Sequence, residues 1–200
     1  HTIHEQNMRH RLTEALCGYH EKYPYRYGMK KAEIHMTYMK KVKLNVFDLY
    51  VEMLSEEGAL KRHQEFLQLP EFEVRKDAVY EKVLKTVQKQ FEKVQFDFQR
   101  FSEISFGNIK REEVEDIMLL LIDEDIVVKI TEDIYTLKSI IEKAKEVIQN
   151  RLKENPLITI AEVRDLLGTS RKSAKPILEY MDSIKVTKKN GTESERVAYV

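Results

Sequence analysis

Hydrophobic and polar positions along the chain form one pattern that recurs three times. Segments with helical spacing are followed by a β-branched run, a polar tip and a second apolar run. Two such runs with a polar tip between them favour a β-hairpin, and we place the hairpins at 59–67, 126–137 and 184–200. Helix, helix, longer helix and hairpin form the winged helix, a variant of the helix-turn-helix. The sequence therefore predicts a mainly α protein with small β-hairpins, built from tandem winged-helix domains.

We predict three winged-helix domains, at 1–69, 70–137 and 138–200. Pro70 begins a predicted linker that runs to Lys76, because proline disfavours helix there. The third domain should open with a helix that stops before Asn155 and Pro156. Its apolar stripe has helical spacing and consists of Ile140, Ile141, Ala144, Val147, Ile148 and Leu152.

The stretch 158–173 carries the strongest indication of function. A short amphipathic helix ends at Gly168, a Thr169-Ser170 cap follows, and Arg171 and Lys172 stand at the start of a second helix. Because Pro176 lies early in that helix, we expect its regular turns to begin near Ser173 and the cap segment to be open. Unpaired amides and the helix dipole favour an anion at such an end, so nucleic acid is the first partner to consider.

Other cations extend this candidate surface. Arg164 lies on the preceding helix, where it could contact phosphate or pair with neighbouring Asp165 or Glu162. Lys175 shares a face with Arg171 because the two are four residues apart. The third wing is the longest of the three and turns at Asn190-Gly191, a strong hairpin signal. The predicted RNA-binding residues are Arg164, Thr169, Ser170, Arg171, Lys172, Lys175, Lys188, Lys189 and Arg196.

The charge distribution favours a local contact over general polyanion binding. The 200 residues have a formal net charge of zero, but residues 102–137 carry −7 and residues 138–200 carry +4. The single cysteine, Cys17, cannot form an internal disulfide, which indicates a reducing cytoplasm, and we expect it to be packed. No apolar run has the length of a membrane span.

Other chemistry is weakly represented in the sequence. Tyrosines 19, 23, 25 and 27 could stack on bases, although packing of the first helix is the more common use of such a group. The histidines show no metal-binding spacing, and the acidic clusters at 112–116 and 123–125 fit a solvated surface. There is no phosphate loop of the GxxxxGK[ST] kind and no nucleophile with a base, so we predict no enzymatic activity for this chain.

Two stretches resemble a known family. Residues 159–172, with the continuation 174–182 that includes Pro176, are similar to the last winged-helix domain of the selenocysteine-specific elongation factors, the SelB family. Residues 23–33, with a Pro-x-Arg-x-Gly turn, resemble an earlier winged-helix domain of the same region. The wing tip at 190–195 departs from the shorter, more basic tip expected for the family.

The resemblance implies a role in translation. Members of the family are cytoplasmic GTPases that carry selenocysteyl-tRNA to the ribosome and recode UGA. Their C-terminal winged helices hold the selenocysteine insertion (SECIS) hairpin of the mRNA. The resemblance thus implies a monomeric RNA-binding fragment without a cofactor of its own, since GTP and Mg²⁺ would belong to an N-terminal part that this sequence lacks. It implies no membrane partner.

RNA geometry limits how such a domain can bind. The major groove of A-form RNA is too narrow for a helix, so we expect cations at the helix start to hold backbone phosphates while an unstacked loop base gives specificity. Two alternatives from other classes are a DNA-binding regulator with tandem winged helices and a protein-binding array. The helix at 173–182 offers Lys175, Glu179 and Tyr180, which is a poor set for reading base edges.

Overall fold

The computed structural model describes the backbone of residues 2–199 and the side chains from Glu5 to Tyr199. The described chain divides into two compact units. The first unit runs to Tyr80 and includes Lys110–Leu120, and the second holds Glu81–Ile109 together with the chain from Leu121 onward. The segment 70–137, which the sequence predicts as one domain, thus contributes residues to both units.

Helices dominate the described chain. The α-helices are α1 (Thr2–Lys22), α2 (Lys31–Tyr38), α3 (Leu44–Glu56), α4 (Ala78–Val94), α5 (Arg111–Asp123), α6 (Lys138–Glu154), α7 (Ile160–Leu167) and α8 (Arg171–Ser183). The strands are β1 (Met29–Lys30), β2 (Lys61–His63), β3 (Phe66–Gln68), β4 (Val127–Thr131), β5 (Ile134–Leu137), β6 (Leu157–Thr159), β7 (Thr187–Asn190) and β8 (Thr192–Ala198). Small antiparallel sheets attached to helices confirm the predicted fold class.

The first unit contains a winged helix in the order α1, β1, α2, α3, β2, β3. Its sheet has the antiparallel order β1-β3-β2, with Leu67 of β3 opposite both Met29 and Arg62. The predicted hairpin is confirmed, and β1 is a strand that the sequence did not reveal. Gly28 allows β1 to approach β3, because a Cβ there would lie 2.1 Å from the Leu67 carbonyl oxygen.

The tyrosines of the first unit are used in packing. Tyr25 is buried, and its hydroxyl donates to Asp77 (3.1 Å), while burial raises its pKa to about 12. The guanidinium of Arg26 lies over the Tyr23 ring and binds Asp116 through Nη2 at 2.6 Å. The expected burial of Cys17 was wrong. Its thiol is exposed because the buried face of α1 contains Leu12 and Leu16 instead.

The segment between α4 and α5 does not form the predicted middle helix. The regular helical structure described in this segment is limited to a short 3-10 turn, Phe101–Glu103. Its buried residues Phe101, Ile104 and Phe106 are spaced by two and three positions, which does not match one face of an α-helix. The wing residue Asp133 holds this turn, because its carbonyl accepts from the Phe101 amide (2.8 Å) and its carboxylate from the Ser102 hydroxyl (2.6 Å).

The C-terminal winged helix has the order α6, β6, α7, α8, β7, β8. The predicted first helix is confirmed as α6, with Ile140, Ile141, Ala144 and Ile148 buried. The sheet order is β6-β8-β7, so the unpredicted strand β6 pairs with β8 rather than joining α7. The wing turns at Gly191 (φ +72°), and residues 192–195 belong to β8 rather than to a loop. Val200, in the predicted return run, lies outside the described residues.

The core of this winged helix extends beyond residue 138. Val128 of β4 belongs to its buried cluster, and Phe96, Phe98 and Ile130 pack against that cluster. These residues all lie in the second unit and all precede the predicted boundary at residue 138. Side chains on both sides of that boundary therefore share one core. No helix in the described part of the chain is long and apolar enough to cross a membrane.

Candidate nucleic-acid interface

The helix before the candidate surface is fixed at both ends. The Thr159 hydroxyl accepts from the Glu162 amide (3.2 Å), and the Glu162 carboxylate accepts from the Thr159 amide (2.9 Å), which together form a capping box. Partial burial acts to raise the pKa of Glu162, but hydrogen bonds from Thr159 and Arg151 have the larger, opposite effect. The pKa of Glu162 is therefore lowered from its ordinary value. Gly168 ends α7 in the left-handed conformation (φ +60°), which turns the chain toward α8.

The recognition helix α8 begins two residues earlier than predicted. Ser170 is the N-cap, and Arg171 and Lys172 form the first positions of the helix, not an open segment. Pro176 lies inside the helix. Proline lacks an amide hydrogen, so it gives up the bond that its position would make to the Lys172 carbonyl. The helix tolerates the loss of this one hydrogen bond near its start. Arg171 and Lys172 therefore lie on a regular helical backbone.

The predicted cap hydroxyls already have partners in the protein. Thr169 Oγ1 donates to the Phe96 carbonyl at 2.6 Å, and Ser170 Oγ donates to the Asp97 carboxylate at 2.8 Å. Ser170 makes no side-chain bond to the amides of its own helix. A phosphate that used either hydroxyl would have to displace these bonds. The two hydroxyls thus lie where we predicted, but they are engaged by the 96–97 segment.

The predicted cations of α7 and α8 differ in whether they already have an ion-pair partner. Arg171 and Lys172 are exposed, and neither has an ion-pair partner among residues 5–199. Lys175 is 3.7 Å from Glu179, one turn further along α8. Arg164 pairs with Asp165 through two bonds of 2.7 and 2.9 Å. Exposed ion pairs contribute little free energy, so a phosphate can compete for Lys175 and Arg164.

The wing presents two of its three predicted cations to solvent. Lys188 is exposed and lies 5.9 Å from the centre of the Tyr199 ring, and Lys189 pairs with Glu193 at 2.6 Å. Arg196 requires a correction, because it is fully buried and cannot act as an exposed phosphate contact. Its Nε donates to Asp182 Oδ2 at 2.6 Å, so it attaches the wing to the end of α8.

Sequence reasoning missed the carboxylates at the two ends of α8. Asp97 lies at the N-terminal end, between two partly buried phenylalanines, Phe96 and Phe98. Asp182 lies near the C-terminal end, where it also accepts from the Thr187 hydroxyl at 2.6 Å. Asp97 precedes α8 by more than seventy residues, and no local pattern reveals such a contact. The sequence holds a weak signal for Asp182. An acidic residue near the end of the helix that precedes the wing is followed by an arginine in the wing, and the two can pair.

The described residues contain no group of three or more His, Cys, Asp or Glu arranged to hold a metal ion. The side chains of His1 and His4 lie outside the described part.

Family models match both outer winged helices. Residues 13–69 and residues 150–194 match two separate models, each described as elongation factor SelB, winged helix, and together they span just over half of the chain. The chain belongs to the SelB family. The matched ranges contain the two stretches whose resemblance to SelB was recognised in the sequence.

Individual relatives agree with this assignment. The chain is 24% identical over 185 residues to a selenocysteine-specific elongation factor of Desulfomicrobium baculatum, covering 91% of this chain but only 29% of that protein. The mRNA-binding domain of E. coli SelB in complex with SECIS RNA is matched over its whole length and over 62% of this chain, with TM-score 0.52 and 19% identity. A bacterial selenocysteine-specific elongation factor, EF-Sec, is matched over 97% of this chain and 29% of its own length, with TM-score 0.53 and 18% identity. These structural likenesses support the fold.

Proposed function

We propose that this chain is the RNA-binding region of a selenocysteine-specific elongation factor and that its last winged helix binds the SECIS hairpin of the mRNA. The observation that carries the proposal is the start of α8. There Arg171 and Lys172 project from the first turn of the helix, exposed and without an ion-pair partner among the described residues. The SECIS RNA bound to the mRNA-binding domain of E. coli SelB gives the class of ligand.

The geometry favours contact with the RNA backbone. A helix cannot enter the narrow major groove of A-form RNA, so the end of α8 should meet phosphates near the hairpin loop. The wing strand β7 adds Lys188 and Lys189 as a second charged surface. Phosphate contacts give affinity and position, and contacts to splayed loop bases would give sequence specificity.

The longer factor would supply the remaining activity. Since this chain spans only 29% of the Desulfomicrobium relative, we assign GTP and Mg²⁺ binding to the part outside it. Delivery of selenocysteyl-tRNA to the ribosome and recoding of UGA also belong to that longer protein in our proposal. We expect this chain to work in the cytoplasm as a monomer, with RNA contact as its own contribution and no catalytic step.

Binding measurements can test the proposal against both alternatives. The chain would be titrated with a SECIS hairpin, a scrambled hairpin and duplex DNA of equal length, at about 50 and 200 mM salt. We expect the SECIS hairpin to bind most tightly at both concentrations, with affinity falling as salt rises. Equal or tighter binding to duplex DNA would instead support a DNA-binding regulator. Lack of salt-dependent binding to any nucleic acid would support a protein-binding array.

A further inference from the structure

The N-terminal end of α8 already holds an anion from the protein itself. Asp97 Oδ1 lies 2.8 Å from the hydroxyl of Ser170, the N-cap residue, and 3.4 Å from the hydroxyl of Ser173 in the first turn. The positive end of the helix dipole stabilises a carboxylate at this place, as it would stabilise a phosphate. Asp97 thus occupies the region where an RNA phosphate would be expected.

The segment that carries Asp97 is fixed to the C-terminal winged helix at several points. Phe96 and Phe98 pack against its core, and both lie in the same compact unit as α8. The Phe98 amide donates to Ser173 Oγ at 3.0 Å, and that serine is only 2% exposed. The Phe96 carbonyl accepts from Thr169 at 2.6 Å. These contacts hold the Asp97 carboxylate beside the cap.

This arrangement divides the end of α8 into a closed part and an open part. The hydroxyls of Ser170 and Ser173 face Asp97, and the carboxylate is exposed, so its negative charge acts on any phosphate that approaches the same end. The side chains of Arg171 and Lys172 remain open to solvent. We propose that Asp97 is a specificity-determining residue that keeps phosphates away from the amide end of α8. Phosphates are then restricted to the side chains of Arg171 and Lys172 in the first turn.

The consequence concerns specificity more than affinity, and it rests on the RNA-binding function proposed above. Sequence-independent binding to nucleic acid consists almost entirely of phosphate contacts. A carboxylate next to the phosphate-binding cations therefore weakens binding to all polyanions. A SECIS hairpin is oriented by its loop contacts, so its phosphates can meet the two cations away from Asp97, and its free energy of binding falls by less than that of a polyanion held by phosphates alone. Asp97 thus widens the gap between the SECIS hairpin and other RNA.

The test compares Asp97→Asn with Glu154→Gln, a variant with the same change in net charge. Glu154 is an exposed carboxylate at the end of α6. Asparagine keeps an oxygen that can accept from Ser170 but removes the charge. We expect Asp97→Asn to bind duplex DNA and a scrambled hairpin about two- to fivefold more tightly, the range of charge effects at a helix N-terminus, and to lose preference for the SECIS hairpin. Glu154→Gln should change these affinities less.

Asp97→Glu separates charge from fold, because it keeps the charge but changes the side-chain length. We expect it to bind duplex DNA as weakly as the wild type, even if its thermal melting temperature falls. Equal gains in Asp97→Asn and Glu154→Gln, or equally tight DNA binding by Asp97→Glu and Asp97→Asn, would overturn the proposal. A wild-type chain without preference for the SECIS hairpin would contradict the proposed function instead. In that case the duplex DNA affinities would still report on Asp97.

Discussion

The ion pair between Asp182 and Arg196 connects the end of α8 to the wing, and Asp182→Ala tests how much the fold depends on it. Arg196 is fully buried, with Nε 2.6 Å from Asp182 Oδ2. Its Nη1 donates to the carbonyls of Glu193 (2.8 Å) and Glu195 (3.0 Å). Asp182 is its only carboxylate partner among the described residues. The alanine variant would leave a buried guanidinium without a counter-charge.

The structure sets the size of the effect. Removing one partner of a buried ion pair costs about 3–5 kcal/mol, because the remaining charge stays buried without compensation. The Asp182 side chain is 22% exposed, so water can solvate part of the site, and the lower end of that range applies. The Thr187 hydroxyl also loses its acceptor, which adds about 1 kcal/mol. We therefore expect the free energy of unfolding of the second unit to fall by about 3–4 kcal/mol.

Urea denaturation followed by circular dichroism would measure this change. With an m-value of about 2 kcal/mol per molar urea, the midpoint should fall by roughly 1.5–2 M. The matched control is Asp165→Ala, which breaks the exposed pair with Arg164 and should cost below about 1 kcal/mol.

A double variant tests the reasoning directly. In Asp182→Ala with Arg196→Met both charges are absent, so much of the lost stability should return. The coupling free energy between the two positions should then be a few kcal/mol. A cost below about 1 kcal/mol for Asp182→Ala would refute the argument that the buried charge depends on its partner. A double variant no more stable than Asp182→Ala would do the same.

Three further predictions follow from other parts of the chain. Arg171→Ala should lose ~1–3 kcal/mol of RNA binding, reduce the log–log salt slope by about 0.7–0.9 and leave thermal melting unchanged; an unchanged slope with lost affinity would exclude a phosphate contact. Burial lowers the pKa of His20 to about 4, so the unfolded chain binds more protons between about pH 6.5 and 4. Acid should therefore destabilise the first unit by about 1–3 kcal/mol over that window, and urea melts of His20→Gln should lack this fall. The exposed Cys17 should react with a thiol reagent in the native chain as fast as in urea; protection in the native chain would contradict its exposure.

Periodic patterns predicted the elements whose partners are close in sequence. The apolar stripe of 140–152 gave α6, and pairs of runs separated by polar tips, β-branched in the second and third hairpins, gave the three hairpins. In these cases the hydrophobic face and the turn signal lie in one short stretch, so local physics decides the structure. The resemblance to SelB rested on other stretches, 23–33 and 159–182, and both lie within the ranges that the family models match.

Elements that depend on distant partners could not be predicted in this way. Strands β1 and β6 have two and three residues, and each exists because it pairs with a strand from the far side of its hairpin. The predicted middle helix is absent, and Phe101 and Ser102 bond instead to Asp133, more than thirty positions later. Arg196 looked like a wing cation, and only its contact with Asp182 shows why it is buried.

The two carboxylates that the sequence did not reveal fix both ends of α8, the helix that carries the proposed binding surface. Asp97 holds the N-terminal end through Ser170, and Asp182 holds the C-terminal end through the wing. With both ends fixed, Arg171 and Lys172 project from a helix that cannot shift along its axis without breaking one of these contacts. A helix already fixed at both ends loses less conformational entropy on binding, because the RNA does not have to order the backbone that carries the two cations. Under this arrangement, loss of Asp97 or Asp182 should change which RNA is bound as well as how tightly.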